Sequence, residues 1–295
     1  MNKKGIVLIL VLVMILALPL NALAARPEMG ARTYLNLGDS IAFGDSADLG
    51  QRYFDGYAEY LENFGFTKVP GVPGVVENGN IAMPGMTTEY LLGRLNHPTD
   101  QTAIMAQWMV SEADVITVSI GGNNILQPVI GAMMKAYSAK SISELEGKIV
   151  DGGPVIWNGI IQQLLADDEL RAALWLGVED FQSHWPQIIN AIHYLNEEAN
   201  IIILSIYNPV CKMESPELYQ LMEELIHPMN QTMRKHQGRR VSVANVYNAF
   251  RRNEDAVDFS IVWGPIPNPD PHPNNTGHQL ITEELMRVRN PMAFR

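Results

Sequence analysis

Thr33-Tyr34-Leu35-Asn36-Leu37-Gly38-Asp39-Ser40-Ile41-Ala42-Phe43-Gly44 begins as a strand and ends as a turn. Tyr34, Leu35 and Leu37 supply β-prone apolar bulk, and Gly38-Asp39-Ser40 breaks the run. A helical stretch follows at about Gly56 to Phe64, with Tyr57, Tyr60, Leu61 and Phe64 on one side. A serine at the carboxyl end of a first strand, just before a turn into a helix, stands where open α/β sheets hold their ligands. Its hydroxyl is useful as a nucleophile only beside a group that removes its proton.

Outward from this stretch, strand-like runs alternate with helical patterns. Val75 to Ile81 reads as the second strand, ending in Ala82-Met83-Pro84-Gly85. Thr87 or Thr88 caps the next helix, whose inner face is Leu91, Leu92 and Leu95. A helix from about Thr102 to Ser111 leads to a third strand, Asp114 to Ile120, closed by Gly121-Gly122-Asn123-Asn124. Asn200 to Ile206 is the fourth strand, and its unbroken β-branched run suits burial on both faces, as in a parallel sheet. A helix over Glu217 to Lys235, a strand over Val241 to Val246 and a final helix from Thr276-Gly277-His278 to about Val288 complete the pattern. The alternation predicts an α/β fold, a doubly wound and mainly parallel sheet with helices on both faces.

The segment from Ile125 to Leu195 is too long for a simple crossover. Ile156, Ile160 and Leu164 lie four apart, as do Trp157, Ile161 and Leu165. Leu174, Val178, Phe181, Trp185, Ile188, Ile192 and Leu195 follow spacings of four and three, again helical. Pro186 is read as the start of a helix. The last part serves as the crossover helix. The earlier part, about residues 125–180, is a helical insertion. There Met133, Met134, Trp157 and Trp175 belong either to a cap over the site or to the core of extra helices. Gly264 to Asn275 is proline-rich and is read as a loop.

Lys3 and Lys4, the apolar run Ile6 to Leu20 and the small-x-small site Ala22-Leu23-Ala24 read as a signal peptide, residues 1–24, cleaved after Ala24. The alternative is an uncleaved anchor, for which the run is short against the ~20 apolar residues that span a bilayer. The expected location is therefore secreted or in the cell envelope. Cys211 is the only cysteine, so packing without an internal disulfide must hold an exported fold. A net charge of -11 makes nucleic acid or a bare anionic membrane a poor partner.

Four short stretches carry chemistry together. Ser40 is suited to attack a carbonyl, and His272 to take its proton and return it to a leaving group. Asp270 is suited to hold the imidazole tautomer. The backbone N–H groups of Ser40 and Gly85 and the side-chain amide of Asn123 are candidate donors to an oxyanion. His278 is the rival base. His184 and His193 are placed on helices, and His97, His227 and His236 near helix ends. Gly38-Asp39-Ser40-Ile41-Ala42 lacks the last glycine of the α/β-hydrolase elbow. Neither a zinc-type His or Cys pattern nor a glycine-rich phosphate loop is present, so no cofactor and no metal are expected.

Those same stretches resemble the GDSL esterases and lipases, also called SGNH hydrolases. Gly38-Asp39-Ser40 is similar to the first block, with Ile41 in place of leucine. Asn80 to Thr87 resembles the block with the oxyanion glycine, Ile120 to Asn124 the block with the oxyanion asparagine, and His272-Pro273 with Gly277-His278 the histidine block. The resemblance runs from about residue 33 to 288. It implies a three-layer α/β/α sandwich on a five-stranded flavodoxin-like sheet, over residues 31–295. It also implies hydrolysis of carboxylic (acyl or lipid) esters by a Ser-His-Asp acyl-enzyme route. Two positions depart from the family. The usual Asp-x-x-His is here Asp270-x-His272, with Pro269 at the usual aspartate position, so either Asp270 or a backbone carbonyl orients His272. Asn124 stands where aspartate is usual. The expected partner is a small-molecule or lipid ester, with room for transient contact with a lipid surface. An O-acetyl esterase acting on carbohydrate or cell wall is an alternative on the same fold. A non-catalytic envelope binding protein is another, and it requires that the His272 ring not reach the Ser40 hydroxyl.

Overall fold

The computed structural model describes residues 32–97, 100–145, 147–148, 151, 162, 165–258 and 270–288. The stretch read as a signal peptide lies outside them, as do Ile156, Trp157, Ile160, Ile161, Leu164 and residues 264–269.

Hydrophobic alternation sets the layers. Strands β1 (Arg32–Gly38), β3 (Val115–Ser119), β4 (Asn200–Leu204) and β5 (Val241–Ala244) pair in parallel, and with β2 (Phe66–Lys68) the sheet order is β2-β1-β3-β4-β5. Every residue of β3 and β4 is buried, as a strand covered on both faces requires. Leu35, Leu37, Ile116, Val118, Ile201 and Ile203 face one core. That core is filled by α3 (Thr88–Asn96), α4 (Gln101–Ser111), α6 (Asp168–Leu195) and α7 (Pro216–Lys235). Tyr34, Val115, Ile202 and Leu204 face the other, against α2 (Tyr53–Glu62), α8 (Val246–Phe250) and α9 (Asn275–Val288). Strand period two therefore sorts successive residues between two helical layers.

Three expectations need correction. The second strand is Phe66–Lys68 rather than Val75 to Ile81. The turn at Asn78-Gly79, where Gly79 has φ 70°, interrupts the apolar run. Its end nevertheless flanks β1: Asn36 N–H donates to Gly79 O at 2.8 Å, Ile81 N–H to Asn36 O at 3.1 Å and Met83 N–H to Gly38 O at 2.9 Å. Pro186 lies inside α6, a helix of 28 residues, and does not start one. The buried stripe of Leu174, Val178, Phe181, Trp185, Ile188 and Ile192 continues through it. Phe181 and Trp185 stack at 5.4 Å. Burial of several large side chains, about 1.5–3 kcal/mol each, outweighs a proline penalty of about 3 kcal/mol. His227 lies well inside α7 and not near its end.

Helix α5 (Gly122–Ala136) starts where β3 ends. A Cβ on Gly177 would stand 2.0 Å from Asn124 O, so glycine allows α6 to pack directly on the start of α5. Met133 and Met134 pack against the larger core, whereas Trp175 is exposed on the first half of α6.

Candidate active site

Ser40 opens a single helical turn, α1 (Ser40–Phe43), at the end of β1. Gly38 has φ 141°, and a Cβ there would sit 1.8 Å from Ser119 O, so only glycine lets β1 close on β3 at this level. Asp39 N–H donates to Ser119 O at 3.0 Å, and the Asp39 carboxylate caps α1 by accepting from Ile41 N–H at 3.1 Å. Burial lifts the Asp39 carboxyl to about 7, against the Ile41 bond and the nearby His272. Asn36, fully buried, donates through Nδ2 to Ala42 O at 2.7 Å. Its Oδ1 accepts from Tyr53 Oη at 2.7 Å and from Thr117 Oγ1 at 2.8 Å. The serine turn is thus tied to the sheet and to α2.

Ser40 Oγ lies 2.8 Å from His272 Nε2, and His272 Nδ1 lies 2.5 Å from Asp270 Oδ1. The short Asp270-x-His272 spacing works through an Asx turn. Asp270 Oδ1 also accepts from the His272 backbone N–H at 3.1 Å, which folds the carboxylate back onto the ring two residues later. An ionised carboxylate only accepts, so Nδ1 carries the proton and Nε2 is the acceptor for the Ser40 hydroxyl. Burial opposes ionisation of Asp270, but bonds from His272, Ser46 and the His272 N–H outweigh it and lower the carboxyl to about 2. Burial likewise disfavours a charged His272. The Asp270 bond and the charges of Asp270, Asp45 and Asp39 reverse that and raise its pKa. Tyr207 Oη donates to Pro271 O at 2.7 Å and its ring stacks on Phe250 at 4.2 Å, fixing the loop from the sheet side.

His278 does not approach Ser40 by any hydrogen bond. It is fully buried, accepts from Tyr53 N–H at Nδ1 (3.3 Å) and donates from Nε2 to Asp45 O at 3.3 Å. Burial pushes its pKa down to about 4, so it holds the loop after Ser40 as a neutral ring.

Gly85 and Asn123 form a second group. Met86 N–H donates to Met83 O at 3.2 Å, with Pro84 and Gly85 (φ 77°) at the centre, as a type II turn requires. Gln127 Nε2 donates to Gly85 O at 2.9 Å, and Asn123 Nδ2 to Met86 O at 3.1 Å. A primary amide nitrogen carries two N–H groups, so Asn123 keeps a second donor. Asn124 grips Thr88 twice, accepting from its N–H at 3.1 Å and donating to its Oγ1 at 2.8 Å. The bond from Met83 N–H to Gly38 O sets this loop beside the serine turn. Asn36, Ser46 and Tyr207 carry no motif signal. Asn36 has only its place as a polar residue amid apolar strand positions to mark it.

The GDSL-like lipase/acylhydrolase family matches residues 37–280. The chain belongs to this family. It is a hydrolase of carboxylic esters. Among solved structures it is similar to the lipase Lip_vut3 from a goat rumen metagenome, at 18% identity over 87% of this chain and 96% of that one, with a TM-score of 0.57. It is also similar to an extracellular lipase from Streptomyces rimosus, at 16% identity over 88% and 100% of the two chains, with a TM-score of 0.50. At these identities the likeness is one of fold, and the fold is the family's sandwich. No curated protein matches the chain. The non-catalytic alternative requires His272 to stand away from Ser40; the two are 2.8 Å apart, so that requirement is not met. Among the described residues, no three His, Cys, Asp or Glu side chains converge to hold a metal ion.

Proposed function

We propose that this GDSL hydrolase cleaves acyl or lipid esters through an acyl-enzyme on Ser40, after export from the cell. The hydrogen-bonded series Asp270–His272–Ser40 carries the reading. Ser40 Oγ attacks the ester carbonyl as its proton passes to His272 Nε2. The carbonyl oxygen becomes an oxyanion, for which the N–H groups of Ser40 and Gly85 and the free amide proton of Asn123 serve as donors. The tetrahedral adduct expels the alkoxide, which leaves as the alcohol with the proton from His272. Water then attacks the acyl-serine, again giving its proton to His272, and the carboxylic acid departs as Ser40 is restored. Asp270 keeps Nδ1 protonated and stabilises the imidazolium. An apolar acyl group is supported by Phe43, 43% exposed on the turn that Ser40 opens, and by Leu49 in the loop beyond it. Export is supported by Lys3, Lys4, the Ile6 to Leu20 run and Ala22-Leu23-Ala24.

The test is hydrolysis of p-nitrophenyl esters from acetate to long acyl chains by the wild type and Ser40→Ala. Turnover that disappears in the variant, with fluorophosphonate labelling of Ser40, is expected. Retained turnover in Ser40→Ala would sink the mechanism. An optimum at acetate would favour the O-acetyl esterase over the lipid ester. Protein recovered from the medium should begin at Ala25; a chain retaining Met1 would overturn cleavage.

A further inference from the structure

Ser46 lies in the loop after the serine turn, and no motif includes it. Its hydroxyl donates to Asp270 Oδ2, the carboxylate oxygen that His272 does not use. Its backbone has φ 64°, the left-handed region that residues with a Cβ rarely adopt. Both flanks of the residue are tied down. Asp45 N–H donates to Ser40 O at 3.0 Å, and Asp45 O accepts from His278. Two residues on, Asp48 N–H donates to Asn275 Oδ1 at 2.9 Å while Asn275 Nδ2 returns a bond to Asp48 Oδ2 at 2.6 Å. The loop therefore spans from the nucleophile's own turn to the start of α9 and aims one hydroxyl at the aspartate.

We infer that Ser46 is a positioning residue, whose hydroxyl locks the Asp270 carboxylate in the rotation that presents Oδ1 to His272. This rests on the acyl-enzyme reading above. The Asx turn fixes Oδ1 only through the His272 backbone. Asp270 retains 36% side-chain exposure, so Ser46 competes with water for Oδ2 and restrains the carboxylate's rotation about its last bond. The hydroxyl and the backbone conformation are separable, because glycine accepts φ 64° without strain and has no hydroxyl.

Ser46→Gly is accordingly the test, run beside Ser40→Ala and Asp270→Asn with a p-nitrophenyl ester across pH. Loss of one hydrogen bond to an ionised group predicts a fall in kcat of about five- to tenfold, with KM unchanged. Among the described residues, the charged groups around His272 are Asp270, Asp45 and Asp39, with His278 neutral. Loosening Asp270 removes the strongest stabiliser of the imidazolium, so the acid limb of kcat/KM moves to lower pH. The double variant Ser46→Gly/Asp270→Asn should be no slower than Asp270→Asn alone, since Ser46 acts through Asp270. A wild-type kcat with an unmoved acid limb in Ser46→Gly overturns the inference, as does a penalty that persists in full beside Asp270→Asn. If Ser40→Ala retains activity, the acyl-enzyme reading itself has failed. If Ser40→Ala is inactive and Ser46→Gly is normal, only the role of Ser46 has.

Discussion

The serine turn and the histidine loop meet through one hydrogen bond, yet they are held by different means. Around Ser40 the backbone itself is committed: Gly38 packs on Ser119 O, Asp39 caps the turn, and Asn36 ties Ala42 O to Tyr53 and Thr117 in the interior. Around His272 side-chain bonds near the surface, from Asp270, Ser46 and Tyr207, add to one backbone bridge, Pro273 with Val257. Ser40, the proposed nucleophile, is placed mainly by backbone and buried amides, and His272, the proposed base, largely by the side chains around it. Damage on the first side should appear as lost stability, and damage on the second as lost turnover in a protein that remains folded.

The sharpest break between the two sides is Asp270→Asn. An amide in that place favours the wrong imidazole tautomer, and in the Ser-His-Asp template the corresponding change lowers kcat about 10⁴-fold. A loss of about 10³–10⁴ is expected, with thermal unfolding unchanged. Near-normal kcat would assign the orienting role to a backbone carbonyl. On the opposite side, Asn36→Ala strands the Tyr53 hydroxyl in the core, and leaves Thr117 Oγ1 with Tyr34 Oη and Ala42 O with the long 3.5 Å bond from Asn80. It should cost about 2–4 kcal/mol in denaturant unfolding, while the folded fraction keeps much of its kcat. A loss of kcat without loss of stability would invert the comparison. Tyr207→Phe removes the bond to Pro271 O and leaves ring stacking in place. It should lower kcat a few-fold and stability by about 1 kcal/mol. Equal kcat would show that the Asx turn alone sets the loop. The smallest effect lies in pH dependence. His272 must be neutral to accept the Ser40 proton, and its pKa is raised. Activity should therefore fall with acid around a midpoint above 6.5, the ordinary imidazole value. A midpoint below 6.5 would mean that Asp270 does not stabilise the charged ring.

The same division explains what the sequence makes legible. Strands such as Asn200–Leu204 announce themselves because burial on both faces demands an unbroken β-branched run. The stretches bearing Ser40, Gly85, Asn123 and His272 are legible because each closes a strand or a loop with a recognisable turn. β2 is not, since Phe66-Thr67-Lys68 is too short to show a period, and the richer Val75 to Ile81 run draws attention from it. Pro186 misleads because local propensity opposes a helix that the Phe181–Trp185 face stabilises only through tertiary contact. Ser46 is illegible for a plainer reason. Gly44-Asp45-Ser46-Ala47-Asp48 has the composition of any solvent loop, and the bond from the Ser46 hydroxyl reaches across 224 positions. The two-residue Asp270–His272 spacing leaves the orienting group open in the sequence, because no side-chain rule fixes where a proline-flanked carboxylate points; the Asx turn that brings Asp270 to the ring is seen only in the structure.

That turn has a further consequence for how such a loop changes over time. Asp270, Pro271 and His272 close a ring on themselves: the aspartate's own side chain bonds the amide and the imidazole two residues on. The proposed acid–base pair therefore has part of its geometry set within three consecutive residues, and the rest by Ser46 and Tyr207, which come from distant parts of the chain. Insertions or deletions upstream of Asp270 can accumulate while the pair persists, provided that Tyr207 and Ser46 still receive it. A loop transplanted without those two receivers would keep the turn and lose its aim.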